Sequence, residues 1–209
     1  MEDKRSVFSE SLSEFKLQII TLLCLVALLW SVEIVDTFVY RGWLDQIFGI
    51  RPRTPVGLRG ILFAPFLHGS FGHLISNTVP LVMLSWLVML RRTGDWLVVS
   101  VIAALCSGLG TWLIGASNST HIGASGVIFG YFGFLLLRGY FERSLVAIAF
   151  SVVVTIFYGT LILGTVPFLT APNVSWEGHL FGFLGGVLAA WLLSSKSSSS
   201  SKSSSKYES

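Results

Sequence analysis

The sequence predicts an all-α polytopic membrane protein, a bundle of six transmembrane helices. Three observations predict it. The chain is 53% hydrophobic and 12% charged, with mean hydropathy +0.74, whereas a soluble domain carries about 25% charged residues. Long apolar runs recur, several near the roughly 20 residues needed to cross a hydrocarbon core. The basic residues gather at the ends of those runs, so the net charge of +3 serves topology and implies no nucleic-acid partner. The partner implied is the lipid bilayer.

Residues 1–15 are polar and are expected to be a short disordered cytoplasmic segment. The membrane domain is expected over residues 16–194, with a first span from Lys16 to Tyr40. No small-residue cleavage site follows that run, so it reads as a retained helix rather than a signal peptide. Glu33 and Asp36, near its far end, are expected at the membrane interface. Cys24 and Cys106 lie in separate apolar runs and read as packing thiols. Residues 41–70 form a long connection carrying Arg41, Arg51, Arg53 and Arg59 among prolines, glycines and apolar pieces. A loop this apolar is expected to fold against the membrane surface.

The second span runs from His73 to Leu90 and stops at Arg91-Arg92. The third runs from Trp96 to Ile114, and the fourth from Gly123 to Leu137, ahead of Arg138. The fifth runs from Leu145 to Leu163, and the sixth from Gly178 to Leu193. Between the last two, a connection from Gly164 to Glu177 holds Pro167 and Pro172. Residues 195–209 are almost all serine and lysine and are expected to be a disordered cytoplasmic tail. Six spans put both termini on one side. That side holds Lys4, Arg5, Lys16, Arg91, Arg92, Arg138, Arg143, Lys196, Lys202 and Lys206, and the other only the four arginines of the long loop. Both termini are therefore expected in the cytoplasm.

Depth brings polar residues together. Ser125 lies 13 residues before Arg138, about 20 Å up its helix from the cytoplasmic end. Asn77, 14 residues before Arg91, and His179, 15 before Ser194, come to about 21 and 22 Å. His73 lies one turn before Asn77 on the same face. This common level is about 10 Å below the outer surface. Gly126 and Gly130 on the fourth span, and Gly178, Gly182 and Gly186 on the sixth, form small-xxx-small faces that let helix backbones approach in lipid. If those faces pack, Ser125 and His179 become neighbours. Phe129, one turn after Ser125, would then stack on the His179 ring.

A histidine in hydrocarbon is costly, so His68, His73 and His179 near Asn77 and Ser125 point to a chemical site. His121, in the loop before the fourth span, reads as a surface or capping residue. The rival reading of the same residues is a small transporter with a polar path through His73, Asn77 and His179. That reading predicts inverted repeats, which the sequence lacks. No His-Glu-x-x-His motif is present, and neither metal nor cofactor is expected.

These residues carry a family resemblance. Gly123-Ala124-Ser125-Gly126, His73-x-x-x-Asn77 and His179-x-x-Gly182, in that arrangement on spans four, two and six, resemble the rhomboid intramembrane serine proteases. The stretch His68-Gly-Ser-Phe-Gly-His73 resembles the family's approach to its second helix. The resemblance covers residues 16–194 and implies a six-helix rhomboid-like bundle. It implies a serine endopeptidase with a Ser-His dyad, Ser125 as nucleophile and His179 as general base. The oxyanion donors it implies are His73, Asn77 and the Ser125 backbone N–H. No Asp or Glu is expected level with His179, which leaves Phe129 to orient the ring. Single-span membrane proteins are the implied substrates, entering beside span five under a movable cap, and the site would open to the extracytoplasmic side. The chain departs from the pattern at Phe129, where many members have tyrosine, at Leu58-Arg59 in place of a Trp-Arg pair, and at Gly178, where alanine usually precedes the histidine. A rhomboid-like protein that binds membrane helices without cutting them is the alternative within this resemblance.

Overall fold

The computed structural model describes residues 2–90, 92–171 and 174–204, and for residues 2–7 and 195–204 it gives the backbone alone. Expectations resting on Arg91, Pro172 and residues 205–209 lie outside the described residues. The chain is an all-α membrane bundle. Among the described residues eight α-helices follow in order: α1 (Glu2–Val35), α2 (Trp43–Phe48), α3 (Gly60–Phe63), α4 (Phe71–Met89), α5 (Thr93–Ile114), α6 (Ser125–Glu142), α7 (Leu145–Tyr158) and α8 (Trp176–Ser204). A 3-10 helix, Gly159–Thr165, continues α7.

Among the described residues five segments are long and apolar enough to cross a membrane: Phe8–Tyr40, Phe71–Met89, Thr93–Ile114, Leu145–Thr165 and Trp176–Ser194. The helix of the expected fourth span, α6, is different. Every residue from Gly126 to Leu135 is buried. Its neighbours are Leu74, Leu81, Leu84 and Val88 of α4, Val99 of α5, and Ala189, Ala190 and Leu193 of α8. It is the axis of the bundle, and its glycines and Arg138 lower its hydropathy because it faces protein on all sides.

Both ends of the chain depart from expectation. Residues 2–15 form the start of α1, and α8 runs through the serine and lysine tail to Ser204. The physical reason lies in helix cooperativity, since extending a nucleated helix fixes one residue per added hydrogen bond and needs no core of its own.

The long loop folds onto the bundle. Ile50 pairs with His121 through two backbone hydrogen bonds of 2.9 Å. The arginines satisfy helix-end carbonyls, which lack partners within their own helices. Arg51 donates to Gln46 O and Arg59 to Ile47 O, both at 2.8 Å, in the last turn of α2. Arg53 donates to Leu113 O at 3.0 Å, in the last turn of α5. Glu33 and Asp36 are each 2% exposed. The Asp36 carboxylate accepts from the N–H groups of Leu44 at 3.0 Å and Asp45 at 3.3 Å, so it is buried because it caps α2 from across the turn.

Candidate active site

The site is assembled from α4, α6, α8 and the loop before α6. Ser70 has extended backbone, and its hydroxyl accepts from the His73 N–H at 3.2 Å. This cap fixes His73 on the first turn of α4, with Asn77 one turn further along the same face. At the entry to α6, Gly123 has φ +116°, where any side chain is strained. A Cβ there would also stand 2.9 Å from His73 Nε2. Glycine lets the His73 ring lie against the peptide that leads into Ser125.

The long loop holds that peptide from behind. Gly123 N–H donates to Ala64 O at 2.9 Å, and Ala124 N–H to His68 Nε2 at 3.5 Å. His68 is 1% exposed. Burial, reinforced by the neighbouring His73, pushes its pKa down to about 4, so the ring is neutral and Nε2 can accept. The sequence placed His68 near the site but pointed to no task for it.

Ser125, His73, Asn77 and His179 all line one cavity of about 720 Å³, with Thr120, His121, Ile122 and Ser175 on its loop side. Asn77 is 6% exposed, and its Nδ2 has no partner among the described residues. Leaving a buried donor unpaired costs about 1–3 kcal/mol, so such a donor calls for an explanation, a catalytic role among them. His179 is 7% exposed and stacks on Phe129, ring centroids 4.0 Å apart and planes within 7°. Its Nδ1 lies 3.0 Å from the Gly164 carbonyl oxygen.

Glycines bring the two helices together. A side chain at Gly182 would strike the Gly126 carbonyl, and one at Gly186 the Gly130 carbonyl. α6 and α8 thus meet backbone to backbone, with Ser125 and His179 at the same end of the contact. Gly178 lies on that face too, its carbonyl 3.3 Å from where a Cβ on Gly126 would stand. Its open side faces α5, where a Cβ would stand 3.0 Å from Thr111 Oγ1 and 3.4 Å from Ser107 Oγ. Ser107 is wedged between the helices and donates to Gly178 O at 2.8 Å. A single small polar residue on an apolar span leaves no periodic signal, so the sequence did not reveal it.

Two further residues need correction. His121 is partly buried in the cavity wall, its Nε2 2.6 Å from Ser119 Oγ. Burial lowers its pKa against an opposing pull from Glu177. Glu177 itself contradicts the expectation that no acid lies level with His179, being 6% exposed two residues before it. It stands about 200° round the helix from His179. Its carboxylate accepts from Ser175 Oγ at 3.1 Å, away from the stacked ring.

A multi-pass helical bundle with a serine at a glycine-lined helix start, level with a stacked histidine, defines a narrow class of membrane protein. The chain belongs to the rhomboid family, whose Rhomboid domain model matches residues 57–196. It is 44% identical over 181 residues to an uncharacterized protein of Mycobacterium tuberculosis (strain ATCC 25618 / H37Rv), covering 84% of this chain and 75% of that one. An uncharacterized protein of Mycobacterium leprae (strain TN) is 41% identical over 182 residues, 84% of this chain and 71% of the relative. The provisionally named rhomboid protease YdcA of Bacillus subtilis (strain 168) is 27% identical over 177 residues, 84% and 87% of the two chains.

Proposed function

We propose that the chain is an intramembrane serine endopeptidase that cuts single-span membrane proteins. One observation carries this reading. Ser125, the stacked His179 and the unpartnered donor of Asn77 all line one cavity.

In this reading Ser125 Oγ attacks the scissile carbonyl carbon, and its proton passes to His179 Nε2. The carbonyl oxygen becomes an oxyanion in front of His73 and Asn77, beside the Ser125 N–H. That N–H belongs to the first turn of α6, where helical N–H groups lack internal partners and carry positive dipole. The tetrahedral species collapses to an acyl-serine, and the leaving amine takes the proton from the imidazolium. Water then repeats the sequence, giving its proton to His179 and releasing the acid and free Ser125.

A helical peptide bond is already hydrogen-bonded and covered, so the substrate must unwind near this level, as glycine, proline or small polar residues allow. The excess of Lys and Arg with the termini puts both in the cytoplasm and opens the site to the extracytoplasmic side. The test is cleavage of a panel of single-span reporters by wild type, Ser125→Ala and His179→Ala. Cleavage by wild type alone is expected. Equal cleavage by wild type and Ser125→Ala overturns the mechanism, and binding without cleavage by any version establishes a non-cutting helix-binding protein instead.

A further inference from the structure

We infer that the backbone carbonyl of Gly164 is the positioning group for His179, doing the work that an aspartate does in a triad; this rests on the dyad reading above. The His179 Nδ1 to Gly164 O distance is 3.0 Å. A carbonyl oxygen only accepts, so Nδ1 carries the ring proton and the Nε2 lone pair is left for Ser125.

Three features of the chain make this carbonyl available. Gly164 lies in the last turn of the 3-10 helix Gly159–Thr165, where carbonyls have no partner further along the helix. The residue three positions on is Pro167, which has no N–H to offer. Position 164 also has no room for a side chain, since a Cβ there would stand 2.7 Å from Phe129 Cζ and 3.3 Å from His179 Nδ1. Phe129 on one face and the carbonyl at one edge therefore fix both the plane of the imidazole and its tautomer. The negative end of the α7 and 3-10 run faces the ring and favours the imidazolium formed during catalysis.

The test uses the full chain, ¹⁵N-labelled at histidine, in lipid nanodiscs. Long-range ¹H–¹⁵N correlation, with His179→Gln to assign the signal, reads the tautomer directly. The expected result is an Nδ1–H tautomer in wild type. Gly164→Ala is expected to give mixed tautomers and a kcat on reporters at least tenfold lower, with KM within twofold. An ester in place of the Gly164–Thr165 amide weakens the acceptor without adding an atom, and is expected to shift the tautomer the same way should the alanine variant not fold. An Nε2–H tautomer in wild type overturns the inference, as does a wild-type tautomer in folded Gly164→Ala and in the ester. If no version cuts reporters while the tautomer behaves as expected, the protease reading fails and the positioning role stands. If wild type cuts reporters with the opposite tautomer, the protease reading stands and the positioning role fails.

Discussion

Asn77 holds a buried donor that no neighbour accepts among the described residues. If the donor serves an oxyanion, its loss acts on the transition state and not on substrate binding. Asn77→Ala is expected to lower kcat roughly 100-fold with KM little changed, as for single oxyanion donors elsewhere. Steady-state kinetics on a reporter measure this. Asp45, outside the spans, carries a different signature. Burial, then the charges of Asp36 and Glu33, push its pKa up to about 7. The folded chain therefore binds a proton more tightly than the unfolded one, with its ordinary value of 3.8. The stabilising contribution is full below that value and is lost as pH rises through about 7. Asp45→Asn is expected to raise the thermal midpoint at pH 8 and to flatten its dependence on pH between 4 and 8, read by thermal unfolding across a pH series. An unchanged profile would show that Asp45 does not govern this dependence.

At the scale of elements, the α6–α8 contact decides whether Ser125 and His179 meet. Gly182 and Gly186 face carbonyls of α6 with no space for a methyl group. Gly186→Ala is expected to destabilise the chain by about 1–3 kcal/mol, the usual range for overpacking, and to lower activity by parting Ser125 from His179. A thermal midpoint equal to wild type would show that the helices can separate without penalty. Much of this contact was legible in the sequence, because glycines at four-residue spacing mark a face and distance from the basic cytoplasmic ends marks depth. The further contact of Gly178 with α5 was not legible, because spacing shows a face but not every neighbour it meets. Gly164 was half legible. Its glycine and Pro167 are visible, but which side chain receives the freed carbonyl depends on how α7 packs against α8.

For the whole molecule, the apolar runs suggested six spans, and among the described residues five helices are long and apolar enough to cross a membrane. α6 is enclosed by other helices, so its sequence reads as small and aromatic rather than lipid-facing. The long loop was legible as folded, but its arginines were puzzling as charges on the wrong side. Three of the four are helix-end donors: Arg51 and Arg59 to α2, and Arg53 to α5. The proposed orientation rests on the remaining Lys and Arg residues and would have Lys196 in the cytoplasm. With Cys24 and Cys106 replaced, a cysteine at Lys196 is expected to resist an impermeant thiol reagent in intact cells, and one at Gln46 to react with it. The opposite pattern would invert the site to the cytoplasmic side.

The central claim is that Ser125 is a nucleophile activated by His179. A fluorophosphonate reacts preferentially with such a serine, and mass spectrometry locates the adduct. The dyad predicts one adduct, on Ser125, in the wild-type chain and none in folded His179→Ala. Equal labelling of Ser125 in both proteins, or no adduct in wild type, would contradict it.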